Sequence, residues 1–372
     1  MYYEIDNQPA LVQLLANSTG PIKRYAFQSL NFFNLEVAKD IAFEDCIFLG
    51  CELSDKVISQ NIDTSCYVFP RLTKPFDMFP NSLYSHETLF NGYEVGNPMS
   101  YSFTYDKQVY DHYINFGKEA SDIGETLARR LHDHSITDAL FDFLNQYHEK
   151  KIVAIMGGHS LPRDSETYKT VVLISKLLTE KGYLLVSGGG PGAMEATHLG
   201  AIFAGKSSKD IDDALETLAH APSYKDELWL DTSFQVLSKY GLGEFESLGV
   251  PTWLYGHEPP TPFASKIAKY FANSVREDGL LAIGKGGVVF APGSAGTIQE
   301  IFQDACQNHY LNYGFASPMV FLDSNYWTEQ RPIYPLLSQM NDEGKYRNLI
   351  LSLYDSPEDI VKEIIGFTGR NV

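Results

Sequence analysis

Three apolar segments of this chain are each followed directly by a turn that is rich in glycine. Residues 152–156, 183–186 and 288–290 are short continuous apolar runs, which is typical of strands buried on both faces. Helical periodicity follows each turn, and strands that alternate with helices form right-handed crossovers between parallel strands. The pattern therefore predicts an α/β fold in which helices cover both faces of a doubly wound parallel sheet.

The glycine-rich turns are expected to lie at one edge of this sheet. They contain Gly157 and Gly158 after the first strand, Gly188, Gly189, Gly190 and Gly192 after the second, and Gly293 and Gly296 after the third. Ligands of parallel sheets bind beyond the carboxyl ends of the strands, where these turns would meet. Three such turns at one edge predict a nucleotide-sized binding site.

The third turn is the strongest candidate for binding an anion. Residues 293–297 join a strand to a helix, so unpaired backbone N–H groups and the positive end of the helix dipole face one point. A phosphate is favoured there. Glu300 lies one turn into the helix, where its carboxylate would repel a phosphate, so we expect it to serve chemistry beside the phosphate. The alternative is an ordinary turn in which Glu300 only complements the helix dipole.

The spacing of the glycines differs from two common nucleotide-binding motifs. Residues 188–192 lack the spacing of the dinucleotide fingerprint, and no acidic residue is evident at the end of the next strand. The chain also lacks the lysine-containing loop that binds the phosphates of a triphosphate. The sequence therefore favours a mononucleotide site.

Composition and charge restrict the partners of the protein. The net charge of −18 argues against nucleic acid, whose phosphates would be repelled. No apolar run is long enough to span a bilayer, and the first residues lack the features of a signal peptide. The 4 cysteines show no zinc spacing and are too few for a disulfide scaffold. We expect a cytoplasmic protein that binds neither nucleic acid nor membrane.

A length of 372 residues is typical of two domains, or of one large domain with additions. Residues 150–372 carry the alternating pattern, with a helical insertion at 205–248, and residues 1–149 form an additional N-terminal region that begins β-rich and continues as helices. Phe43, Phe48 and Leu53 recur every five residues, as in pentapeptide-repeat solenoids. Only a fragment of such a repeat is visible, so two ordinary strands with alternating faces are the favoured interpretation.

Periodicity also predicts elements between these segments. It predicts helices over about 107–131, 136–147 and 263–276, and a strand over 250–255. Asp111, His112, His132 and His134 lie in the first two helices. No motif links them, so we expect no metal site.

Two segments resemble motifs of a known family. Residues 292–300, Pro-Gly-Ser-Ala-Gly-Thr-Ile-Gln-Glu, resemble the P-G-G-x-G-T-x-x-E motif of the LOG (Lonely Guy) phosphoribohydrolases, often misnamed lysine decarboxylases. Residues 187–195, Ser-Gly-Gly-Gly-Pro-Gly-Ala-Met-Glu, resemble the matching turn of the larger bacterial nucleotide 5′-monophosphate nucleosidases of that superfamily. The resemblance covers about 150–325. It is incomplete at Ser294, which replaces a glycine, and at Glu277, where the family has the lysine of an Arg-Lys pair that begins here with Arg276.

The resemblance implies a Rossmann-like fold and hydrolysis of nucleoside 5′-monophosphates to free base and ribose 5-phosphate. Glu300 would stabilise an oxocarbenium-like transition state or activate water, and Arg276 would orient Glu300 or bind phosphate. No metal or cofactor is implied, and the family forms homodimers or higher homo-oligomers. The residues implied to bind substrate are Gly293, Ser294, Ala295, Gly296, Thr297, Gly188, Gly189, Gly190, Gly192, Met194, Gly157 and Gly158.

Other interpretations remain open at this stage. Arg276 could be a cation that only complements the C-terminal end of the predicted helix over 263–276. Glu195 is a weaker candidate for the site. The competing function is a nucleotide-binding sensor or carrier that does no chemistry. An amino-acid decarboxylase would need a lysine that binds pyridoxal phosphate, for which the sequence offers no strong candidate.

Overall fold

The computed structural model of the protein describes residues 1–35 and 37–367, which divide into two compact units. The first unit comprises Met1–Leu83 and Asn115–Asp142. The second comprises Tyr84–Ile114 and the described chain from Phe143 onward. Across the described residues, every helix is too short or too polar to cross a membrane.

The strands and helices are numbered in chain order. The strands are β1 (Tyr3–Ile5), β2 (Ile22–Lys23), β3 (Tyr25–Gln28), β4 (Phe43–Glu44), β5 (Ile47–Leu49), β6 (Tyr67–Phe69), β7 (Ile152–Met156), β8 (Leu184–Ser187), β9 (Ser247–Gly249), β10 (Lys266–Ile267), β11 (Val288–Phe290), β12 (Pro318–Leu322) and β13 (Ile350–Tyr354). The helices are α1 (Gln8–Asn17), α2 (Asp55–Gln60), α3 (His86–Leu89), α4 (Tyr105–Phe116), α5 (Ile123–Leu144), α6 (Glu166–Glu180), α7 (Ala193–Ile202), α8 (Ser208–Leu218), α9 (Trp229–Tyr240), α10 (Asn273–Ile283), α11 (Ala295–Tyr310), α12 (Ile333–Asp342) and α13 (Pro357–Gly366).

The first unit contains short parallel strands that stack as in a solenoid. β1, β3, β5 and β6 form one sheet, and β2 pairs with β4 in another. Paired residues such as Ala26 and Ile47 lie roughly 20 residues apart, a spacing found between successive coils of repeat proteins. Phe27, Phe43 and Phe48 are fully buried and pack against one another. β4 and β5 are therefore not paired with each other, and each joins strands of neighbouring coils.

The second unit is built on a parallel sheet with the strand order β10-β9-β8-β7-β11-β12-β13. β7, β8, β11 and β12 are buried along their whole length, as their apolar runs predict. Val153 and Ile155 pack in one core with residues of α6, α7 and α13. On the opposite face, Ala154 lies against Gly284 at the end of α10. The predicted fold class, a Rossmann-like doubly wound α/β sheet, is confirmed.

The strand order reverses at the centre of this sheet. β8, β9 and β10 lie on one side of β7, whereas β11, β12 and β13 lie on the other. The connections leave in opposite directions at such a point, so a crevice opens beyond the carboxyl ends of the strands. α8 and α9, the helices of the predicted insertion, contribute Ile211 and Val236 to the core that contains Leu199 of α7.

The predicted strand over 250–255 is wrong. β9 ends at Gly249, and Trp253–Tyr255 form a 3-10 turn. Pro251 has no backbone N–H to donate to a neighbouring strand. The hydroxyl of Thr252 accepts a hydrogen bond from the backbone N–H of Leu254 at 3.1 Å, which starts the turn.

The predicted helix over 263–276 is also wrong, and the helical pattern over 107–131 belongs to two helices, α4 and α5, instead of one. The first region contains β10 and extended chain, with Phe263, Ile267 and Phe271 all buried, so its apolar residues do not mark one helical face. α10 begins only at Asn273, which places Arg276 in a first helical turn and excludes the C-terminal interpretation. The second region is interrupted after α4 by residue 117, a glycine with a φ of 91°.

Candidate active site

The three glycine-rich turns meet at the carboxyl ends of β7, β8 and β11. The backbone N–H of Gly158 donates to the carbonyl of Pro292 at 3.0 Å, and the N–H of Ala193 donates to the carbonyl of Gly158 at 3.2 Å. The turn after β7 is thus hydrogen-bonded to both of its neighbours. Together the turns border a cavity of about 390 Å³, a volume in the range of small-molecule sites.

Most residues predicted for the site line this cavity. They are Gly157, Gly158, Gly188, Gly190, Met194, Arg276, Ser294, Ala295, Gly296, Thr297 and Glu300. Gly189, Gly192 and Gly293 are not among the described residues of its wall, although they belong to the same turns. These three glycines belong to the backbone of the turns behind the cavity wall.

Two glycines allow close approaches that a side chain would prevent. A Cβ atom on Gly293 would overlap the Thr297 hydroxyl and lie 2.9 Å from the backbone nitrogen of Gly158. A Cβ atom on Gly188 would overlap the guanidinium of Arg276 and lie 2.6 Å from the sulfur of Met194. Gly293 therefore lets the turns after β7 and β11 pack together, and Gly188 leaves room for Arg276.

The first turn of α11 is open to the cavity. Ser294 precedes the helix and makes no side-chain hydrogen bond to its first N–H groups. Gly296 has open space where a side chain would stand. The hydroxyl of Tyr326 donates to the carbonyl of Gly293 at 2.6 Å, which holds the turn from outside. The arrangement suits an anion bound by backbone N–H groups and the helix dipole.

Glu300 and Arg276 form an ion pair in the cavity wall. A guanidinium nitrogen of Arg276 lies 3.7 Å from a carboxylate oxygen of Glu300, and the two side chains are only 12% and 14% exposed. The Nε of Arg276 donates to the carbonyl of Val250 at 3.1 Å, which orients the guanidinium. Burial raises the pKa of Glu300 to about 7; Arg276 opposes this rise, and the carboxylate of Glu277 adds to it.

Glu277 brings a second carboxylate to the cavity. Its two oxygens accept hydrogen bonds from Asn273 at 2.6 Å and from Gln299 at 3.1 Å. The residue that replaces the expected lysine is thus held in place by α10 and α11. It increases the negative charge around Glu300.

Sequence reasoning did not assign several residues of the cavity wall. They are His159, Pro251, Thr252, Tyr255, Glu258, Glu277 and Gln299. Pro251, Thr252 and Tyr255 lie in the region for which the sequence predicts a strand, whereas His159, Glu277 and Gln299 each adjoin a residue that the sequence does assign to the site. The signal that could have found the residues after β9 is Pro251, which is unfavourable inside a central strand.

Glu195, the weaker candidate, does not line the large cavity. It is fully buried, and its carboxylate accepts hydrogen bonds from Arg163 at 2.5 and 2.9 Å and from the hydroxyl of Tyr168 at 2.9 Å. Arg163 also donates to Thr232 and Ser233 of α9. Glu195 therefore joins the start of α7 to α9 instead of facing a ligand.

Known structures resemble part of this chain. No protein-family pattern and no curated protein matches its sequence. A molybdenum cofactor binding protein from Rippkaea orientalis is 16% identical with a TM-score of 0.36, over 57% of this chain and 96% of its own. The molybdenum cofactor carrier protein of Chlamydomonas reinhardtii is 13% identical with a TM-score of 0.36, over 58% of this chain and 98% of its own. The structural genomics target TM1055 is 20% identical with a TM-score of 0.38, over 58% and 99%.

Proposed function

We propose that this protein hydrolyses the N-glycosidic bond of nucleoside 5′-monophosphates, releasing the free base and ribose 5-phosphate. The observation that carries the proposal is the buried carboxylate of Glu300 beside the open first turn of α11. A protein that only binds a phosphate gains nothing from a carboxylate next to it, because the two repel each other. A glycosidase needs such a carboxylate to stabilise positive charge on the sugar.

Each part of the cavity has a role in this reaction. The 5′-phosphate binds to the turn of residues 294–297, and this remote contact positions the ribose. Ionised Glu300 stabilises the developing charge at C1′ and accepts a proton from the attacking water. Arg276 orients Glu300 and favours its ionised form. The turn of Gly188 and Gly190 leaves space for the ribose.

The test is a substrate panel. Purified protein is incubated with AMP, GMP, IMP, CMP and UMP and with the matching nucleosides, and free base is measured by chromatography. The proposal predicts base release from at least one monophosphate and none from its nucleoside, because the phosphate contact is needed. Base release from nucleosides at equal rates would contradict the role of the α11 turn.

The competing function is a nucleotide sensor or carrier that uses the same cavity. It predicts that a nucleotide raises the melting temperature of the protein while no base appears. The substitutions at Ser294 and Glu277 are the features of the chain that agree with it. The panel therefore needs a parallel thermal-shift series with the same nucleotides.

A further inference from the structure

Ionisable side chains from two separate loops meet at a second place in the cavity wall. Glu258 and His159 both line the cavity, and a carboxylate oxygen of Glu258 lies 3.8 Å from Nδ1 of His159. Glu258 is only 14% exposed, whereas His159 is 43% exposed and accessible to a ligand. The reaction proposed above gives neither residue a role, and it leaves the leaving base without a proton donor.

The pair lies beside the glycine-rich turn that follows β8. A carboxylate oxygen of Glu258 is 4.0 Å from the position that a Cβ atom on Gly190 would take, and His159 directly follows Gly158 in the turn after β7. A nucleotide with its phosphate at α11 and its ribose against the turn of Gly188 and Gly190 would bring its glycosidic bond and base close to this pair.

The surroundings of His159 hold its imidazole beside the carboxylate. The ring of Tyr224 packs edge-to-face on the imidazole, with ring centres 5.7 Å apart. Burial raises the pKa of Tyr224, and the negative charge of Glu258 raises it further. The charge of Glu258 therefore also acts on the residue that packs against His159. A carboxylate next to an imidazole can orient the ring.

We propose that His159, positioned by Glu258, gives a proton to the leaving base and that the substrates are therefore purine nucleotides. The inference rests on the proposed function. The C1′–N bond breaks and its electron pair passes to the base, while the imidazolium of His159 transfers a proton to a basic ring nitrogen such as N7. Water forms the new C1′–O bond and loses a proton to Glu300. Solvent then removes the proton from Glu300 and returns one to His159.

The test uses a leaving group that needs no proton. Wild type and His159→Gln are compared on a purine monophosphate that the wild type hydrolyses and on its N7-methylated form, whose base is already cationic. The variant is expected to lose about 100-fold or more in kcat/KM on the ordinary nucleotide and to stay close to wild type on the methylated one. The same pattern is expected with 4-nitrophenyl riboside 5-phosphate as the activated substrate.

Two further variants separate proton transfer from structural damage. Glu258→Gln is expected to show a smaller loss on the ordinary nucleotide and little on the activated substrates. His257→Gln is the matched control: His257 lies 3.6 Å from the same carboxylate of Glu258, but its side chain is 58% exposed and is not among the described residues of the cavity wall. It is expected to match wild type on every substrate.

The outcomes distinguish this inference from the function on which it rests. A wild type that hydrolyses no monophosphate overturns both. A wild type that hydrolyses monophosphates while His159→Gln loses nothing, or loses equally on ordinary and activated substrates, overturns only the inference. Hydrolysis restricted to pyrimidine monophosphates also overturns it.

Discussion

At the scale of single residues, α11 buries a second acid one turn beyond Glu300. Asp304 is fully buried, one of its carboxyl oxygens has no hydrogen-bond partner, and burial raises its pKa to about 8. Because the folded pKa lies above the ordinary value of 3.8, the protonated acid stabilises the fold at low pH. This contribution decreases as the pH rises and is lost above about 8.

Asp304→Asn should therefore change how stability depends on pH. We expect the variant to gain free energy of unfolding relative to wild type as the pH rises from about 4 to about 9, by a few kcal/mol in total. Urea unfolding at several pH values measures the difference. A difference that stays constant over this range would show that Asp304 is ionised in the folded protein.

At the scale of elements, the sequence predicts the centre of the sheet and misses its edges. β7, β8, β11 and β12 are continuous apolar runs buried on both faces, so local pattern is enough to find them. β10 has only two residues, and the burial of the chain around it comes from tertiary packing, which no local period reveals. β13 is partly exposed along most of its length, and the apolar pattern predicts no strand there.

The residues of the candidate site also form two groups, those that local sequence predicts and those that it does not. Its glycines, with Glu300 and Arg276, lie in local motifs that a sequence displays directly. His159 and Glu258 are distant in sequence and meet only because β7 and β9 belong to one parallel sheet and the chain turns at Pro251. Pairs of this kind depend on the assembled fold.

A neighbouring element supports the phosphate turn and offers a prediction. Tyr326 lies in a π-helical turn after β12 and donates its hydroxyl hydrogen bond to Gly293. Tyr326→Phe removes this bond, which contributes about 1 kcal/mol, so we expect nucleotide affinity to fall by about 5-fold. Isothermal titration measures the change.

The matched control for this variant is Tyr354→Phe. Its hydroxyl also donates one hydrogen bond, to Glu363 at 3.0 Å, and Tyr354 is not among the described residues of the cavity wall. It should leave the affinity unchanged. An equal loss in both variants would mean that the effect is a general loss of stability.

At the scale of the whole molecule, the net charge opposes the proposed ligand. A chain with a net charge of −18 repels a nucleotide as it approaches, whereas the attraction from the α11 turn and Arg276 acts only at short range inside the cavity. Salt screens the long-range repulsion by the net charge more than it screens the short-range attraction inside the cavity. We expect the association rate of a nucleotide monophosphate to increase between about 10 mM and about 150 mM salt. Stopped-flow binding measures it, and a decrease would indicate that a local positive field controls association.

The most direct test of the proposed hydrolase concerns Glu300. Glu300→Gln keeps the size of the side chain and removes its charge, and Glu358→Gln, at an exposed first-turn position of α13, is the matched control. Nucleotide affinity and the rate of base release are measured for both variants and for wild type, in which the rate on the N7-methylated nucleotide, whose base needs no proton, should rise with pH through about 7. The account predicts that Glu300→Gln still binds the nucleotide and loses at least about 100-fold in kcat, while the control matches wild type. Undiminished hydrolysis by Glu300→Gln would contradict it.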